Sequence, residues 1–249
     1  MNRNSLIQQV QNWEKEYKNF MDIHEFPPYG LEAKKASLYL SDAQGFDSVA
    51  TTSYQPKTKE HSLLISTNLP MEKYVLFHEF THMIDSEMYA NGDSVRYAGI
   101  SGFTEYHASQ VELLQLLGAD RINEKISFSM NTIIITIAGE KSVYQYVKEK
   151  QQHAIELFSR MDFPADLNTL KSAFGVLYNY YGLRSICEMY AVDYIEEIDN
   201  EAFLKFIPTQ QFVVMNKLMH GYFSKEQIEL CMKVYLGTIF PLIREYNLA

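Results

Sequence analysis

Basic residues are scarce in this chain. Twenty-two lysines and arginines stand against 31 aspartates and glutamates in 249 residues, a formal charge of −9. That balance argues against a nucleic-acid-binding surface as the main function. Cysteine is scarcer still. Cys187 and Cys231 are the only two, far apart and outside any metal-ligand spacing. They suit buried free thiols in a reducing compartment. Long apolar runs are also missing: the longest, Thr132 to Ile137, falls far short of the ~18–20 residues of a membrane span. The first ten residues carry no apolar signal-peptide core. Low-complexity linkers, polar tails and internal repeats are absent. Together these absences lead us to expect a soluble cytoplasmic protein with no membrane partner.

What is present is enough apolar residue, 47% of the chain, for one sizeable core or two modest ones. Leu6, Val10, Trp13, Tyr17 and Phe20 recur at helical spacing over residues 5–20. Pro27-Pro28-Tyr29-Gly30 then breaks the chain. Three short extended segments follow, 37–40, 48–54 and 61–67, the second rich in β-branched residues. They predict a small antiparallel sheet. Residues 126–137 are apolar and β-branched, and fit either a strand or the start of a buried helix. From Glu140 onward the pattern is helical, over 140–161, 166–181 (stopped by Gly182), 183–197, 201–206, 209–221 and 225–246. Ser224 and Gln227 make a capping-box pattern for the last, and Pro241 predicts a kink in it. The chain reads as α+β, with a mostly helical second half.

The chemistry concentrates in His78-Glu79-Phe80-Thr81-His82. Pro70 to Lys73 can open a helix here, and Tyr74, Val75, Phe77, Phe80, Met83 and Ile84 give it a buried face. Histidines four apart share one helix face and can reach one ion. Neutral imidazoles suit Zn²⁺, and the glutamate beside the first can serve as general base toward an attacking water. A hydrolytic site needs a third protein ligand and one open position. The next patterned helix is expected over 102–117, with Ser101 or Thr104 as cap and Gly118 as stop. Its Glu105 and Glu112, seven apart, share a face with the small Ala108 between them. Ala108 would let this helix lie close to the histidine helix. Glu105, 23 positions after His82, is the expected ligand. Glu112 either orients a histidine or is a solvated charge, and His107 reads as structural or exposed, with the place of substitute ligand kept for it. Asp85 either accepts a hydrogen bond from a ligand histidine or caps its helix. The stretch 89–100, with a turn at Asn91-Gly92-Asp93, is expected to rim the cleft.

The motif followed by Glu105, Ala108, Glu112, Leu113 and Leu114 resembles the gluzincin metallopeptidases of the ImmA/IrrE type. The form His-Glu-Phe-Thr-His-Met-Ile-Asp85 is also similar to the active-site helix of anthrax lethal factor. The resemblance covers residues 30–120, about a third of the chain. It implies a zincin-like domain over 1–120, a separate helical region over 121–249, and Glu105 as the third zinc ligand. It implies that Tyr97, eight residues before Glu105, assists catalysis, although its spacing is shifted by one. It implies a sheet beside the cleft whose edge, at 47–52, pairs with an extended peptide. Members of that family often sit on phages or mobile elements and cleave repressors or regulators, so a specific cytosolic protein substrate is expected. Many carry a DNA-binding helix-turn-helix, for which this chain shows no convincing pattern. The other reading is a non-hydrolytic regulatory or interaction protein with a metal site, which an intact Glu79 argues against.

Overall fold

The computed structural model describes residues 3–35, 49–196 and 201–248. The chain is α+β, with small sheets and a helical C-terminal half. Helix α1 (Arg3–Met21) buries Leu6, Val10, Tyr17 and Phe20, the stripe its periodicity predicts. Strands β1 (Tyr29–Lys34), β2 (Ala50–Gln55) and β3 (Glu60–Ser66) form a sheet in the order β1-β3-β2. β2 and β3 are the expected antiparallel pair, with Thr52 opposite Leu63. β1, however, runs parallel to β3, so the sheet is mixed rather than antiparallel. It begins at Tyr29, immediately after the two prolines that read as a chain break. Proline there restricts the residue before it to extended backbone, which leads into a strand as readily as into a loop. The extended segment expected at 37–40 lies outside the described residues.

Helix α2 (Lys73–Asp85) is buried almost all round. α1 packs on one side of it, β2 lies along another, and α3 (Ser94–Leu116) covers a third. Tyr17 stacks edge-on with Phe77 at 5.2 Å, and its hydroxyl donates to Thr81 Oγ1 at 3.1 Å. Thr81 in turn donates to the Phe77 carbonyl at 2.8 Å. A buried polar side chain inside a helix is tolerated when both its roles are satisfied in this way. A π-helical turn, Ser86–Ala90, extends α2 and ends at Asn91 in the left-handed region (φ 45°).

α3 starts eight residues earlier than the expected 102, at Ser94. Its cap is Asp93, whose carboxylate accepts from the amides of Val95 at 2.7 Å and Arg96 at 2.9 Å. Neither Ser101 nor Thr104 caps it, and both lie inside the helix. Most of the 89–100 stretch is therefore helical, although Tyr97 and Ile100 do line the cleft as expected. Gly118, at φ +78°, stands just past the helix end.

Of residues 126–137 only Ile133–Thr136 is a strand, β4, which pairs antiparallel with β5 (Gly139–Ser142). Helix α4 (Val143–Ser159) follows, opened by a Ser142–Gln145 capping box. Residues 140–142, read as helix, are strand because they pair with β4. The two helices expected on either side of Gly182 are one, α5 (Leu167–Tyr190). Glycine inside a helix costs about 1 kcal/mol, but here the space it leaves is required. A Cβ at Gly182 would lie 2.2 Å from the Tyr106 carbonyl oxygen and 2.9 Å from Ser109 Cβ. α5 at Gly182 thus packs directly on the backbone of α3 at Tyr106. The short α6 (Glu201–Leu204) and α7 (Thr209–Leu218) precede α8 (Lys225–Glu245), which carries the expected Ser224–Gln227 box and packs on α3. Pro241 removes the donor that the Gly237 carbonyl would receive, and Gln211 Nε2 donates to it instead at 3.1 Å.

Substituting Gly182→Ala should therefore destabilise the protein by about 1–3 kcal/mol, the usual cost of forcing atoms into a full core. Urea unfolding of the two proteins checks this, and equal midpoints would refute the close-approach argument.

Candidate metal centre and cleft

The histidine helix brings His78 and His82 onto one face, as a four-residue spacing must. Their rings meet at 77° with centroids 4.8 Å apart. Glu105 reaches them from α3. Its Oε2 lies 3.6 Å from His78 Nε2 and 3.7 Å from His82 Nε2. These separations are too long for good hydrogen bonds. They approach the ~3.3 Å that two ligand atoms keep on a tetrahedral ion with bonds of ~2.0–2.1 Å. The three residues form a group that could hold a metal ion.

The other ring nitrogens are held from behind. His78 Nδ1 is 2.8 Å from Glu112 Oε2, and His82 Nδ1 is 2.8 Å from Thr104 Oγ1. When each Nδ1 carries its proton into these contacts, each Nε2 presents a lone pair to the centre. Glu112 is 1% exposed, and its second oxygen accepts from the Tyr146 hydroxyl of α4. It is thus a buried carboxylate satisfied on both oxygens, not a solvated charge.

The remaining expected residues fall as follows. Glu79 is buried beside His78, and its Oε2 accepts from Thr52 Oγ1 of β2 at 2.8 Å. Tyr97 lines the cleft, edge-on to Tyr54 at 5.2 Å, and burial pushes its phenol pKa up. It therefore stays protonated and able to donate. Asp85 does neither thing expected of it. Its carboxylate takes both contacts from His107 Nδ1, at 3.0 and 3.1 Å. His107 stacks on Phe103 and lies outside the metal-binding group, so it is a partner of Asp85 rather than a substitute ligand.

Burial disfavours charge on every group in the cluster, and the pairings decide which charges survive. For His78 burial is outweighed by Glu105 and Glu112, and the pKa rises to about 10. For His82 burial wins, and the pKa falls to about 4. Burial opposes ionisation of Glu105 too, but His82, His78 and Lys150 hold it down to about 2. At neutral pH without metal the histidine pair therefore carries one positive charge, on His78.

The cluster opens into a cleft of about 550 Å³. β2 supplies Thr51 to Tyr54 to one wall; the 136–138 turn, Lys141 and the α4 residues Tyr146, Glu149, Lys150 and His153 line another. The sequence reading assigned no role at the site to Tyr146, Lys150 or His153, gave Thr52 only a place on the edge strand at 47–52, and gave Thr104 only the role of a cap. Tyr146, Lys150 and His153 do stand at helical spacing, but no local pattern says toward which neighbour a helix face will turn. No described helix is long and apolar enough to cross a membrane.

Metal loading must displace the His78 proton, so binding at pH 7 should release about one proton per ion. Apparent affinity should rise with pH up to about 10, where the proton is lost anyway. Calorimetry in buffers of different ionisation enthalpy reads both. Glu112→Ala should weaken binding about 10–100-fold by freeing the His78 ring, and unchanged affinity would count against that role.

Comparison of the chain with protein-family models, with curated proteins and with solved structures returned no match. What the site does has to follow from its own chemistry.

Proposed function

We propose that the chain is a zinc-dependent peptidase of the zincin type, acting on a peptide segment of a specific protein. One observation carries this reading. The three residues that could hold a metal ion, His78, His82 and Glu105, line the cleft together with Glu79, a carboxylate outside that group. Two imidazoles and one carboxylate are a donor set suited to zinc. A structural site would be closed by a fourth protein ligand and would have no use for Glu79. Zinc held there would polarise a peptide carbonyl and make a water easier to deprotonate.

The protein's own groups supply the rest. Thr52 holds Glu79 by Oε2, and the carboxylate so held takes a proton from the attacking water and returns it to the leaving amine nitrogen. Fixing one oxygen removes a rotamer search from that transfer. Tyr97, kept protonated by burial, is the donor for the oxyanion that forms as the carbonyl is attacked. β2 lies at the edge of its sheet, and its residues 51–54 line the cleft. An extended peptide can pair with that edge through its backbone. The edge expected at 47–52 overlaps β2 at residues 50–52, and residues 47 and 48 lie outside the described residues. The resemblance to ImmA/IrrE-type gluzincins supports a regulator protein as the substrate class.

Glu79→Gln should keep about one zinc per chain, by plasma mass spectrometry, while cleavage of a quenched-fluorescence peptide library falls by about 10²–10⁴-fold. Wild-type cleavage should stop with a chelator and return with zinc. Full activity in the Glu79→Gln protein would remove the proposed base.

A further inference from the structure

Only one residue of the α4 stripe, Tyr146, has a place in the chemistry above. Tyr146, Glu149, Lys150 and His153 stand at i, i+3, i+4 and i+7, so they occupy one helix face, and all four line the cleft. Lys141, at the end of β5, lines it too and is paired with Glu149. Of the cleft's carboxylates, Glu79 and Glu105 stand on α2 and α3 around the metal position, while Glu149 stands on α4 and is paired with Lys141, so Lys150 leaves the β5–α4 wall net positive.

We propose that Lys150 and His153 form a subsite for a carboxylate of the substrate. The inference rests on the peptidase reading. An anionic group placed near Glu79 and Glu105 would be repelled, but the same group turned toward α4 meets an ammonium and an imidazole one turn apart. The ammonium has three donors, so it can counter the buried carboxylates of the metal centre and still serve a ligand. Its charge is felt across the site: Lys150 helps hold down Glu105 and Glu112, and with burial as the larger cause it depresses His153. His153 is then neutral at pH 7 and donates as an uncharged N–H. Charge-assisted contacts to a carboxylate in a half-buried wall are the strong kind. The carboxylate has two possible sources, an aspartate or glutamate side chain beside the scissile bond, or the substrate's own C-terminus.

The test measures binding, not turnover. Three peptide hydroxamates on one scaffold would be titrated into the zinc-loaded full chain. The first has a glutamate side chain and an amidated end, the second a glutamine and an amidated end, the third a glutamine and a free C-terminal carboxylate. Wild type should bind the first or the third about tenfold more tightly than the second. The acid preferred names the source. The ratio should shrink in high salt, fall to about one in Lys150→Met, and persist in Lys150→Arg. His153→Gln should reduce it, and tests the subsite if Lys150→Met does not fold. Equal binding of all three by wild type would overturn the subsite and leave the metal centre standing. So would a preference that survives both Lys150→Met and His153→Gln, and Lys150 would then be only a counter-charge to Glu105 and Glu112. Failure of every hydroxamate to bind would sink the peptidase reading, and the subsite with it.

Discussion

Glu112 keeps a carboxylate in the middle of the protein, at 1% exposure, and the site is arranged around satisfying it. An isolated buried carboxylate is very costly, and it persists only when its lone pairs are met. Here one oxygen meets His78 of α2 and the other Tyr146 of α4, while Glu112 itself belongs to α3. Three helices are joined at one residue. The same contact fixes the ring of His78, which sets where its Nε2 points and hence where a metal can sit. Burial pushes the Tyr146 phenol far up, so it remains a donor at any ordinary pH and the bond to Glu112 does not lapse.

Around this polar centre the packing is dense and mostly apolar. α2 is enclosed by α1, β2 and α3, and α3 is enclosed in turn by α5 and α8. Glycine makes the second contact possible on the α5 side. Gly182 lets the Tyr106 carbonyl approach, and a Cβ added at Gly175 would lie 3.5 Å from Glu105 Oε1. The metal-facing side of α3 and its packed side are thus set by different neighbours, yet a shift of one moves the other. Rigid placement of this kind is what a site needs when ligand atoms must be held to a few tenths of an ångström.

The parts of the site that could be read from the sequence are those fixed by local periodicity. His78 and His82 share a face because they are four apart, and Glu105 and Glu112 because they are seven apart, with Ala108 fully buried between them. None of this needs knowledge of the rest of the fold. What escaped depends on tertiary choices. Gly182 reads as a stop because glycine usually ends helices, and only the neighbouring Tyr106 carbonyl explains why it sits mid-helix. Asp93 reads as part of a turn, and Ser101 and Thr104 as caps; all three have the right chemistry, and it is Asp93 whose carboxylate meets the first amides of α3. β1 was hidden behind a pair of prolines. Thr52 and Tyr146 lie 27 and 34 residues from the glutamates they join, and Lys150 and His153 line the cleft from a helix whose own pattern does not say where it will turn.

The Tyr146–Glu112 contact also has a mechanical side. Tyr146 belongs to a wall of the cleft, and Glu112 to the support of a metal ligand. Any motion that swings α4 outward to admit a bulky substrate must first part the phenol from the carboxylate. That would leave a buried charge half-satisfied and the His78 ring less firmly held. Widening the cleft and loosening the hold on His78 are one movement, so the architecture favours a guest slender enough to leave α4 where it stands.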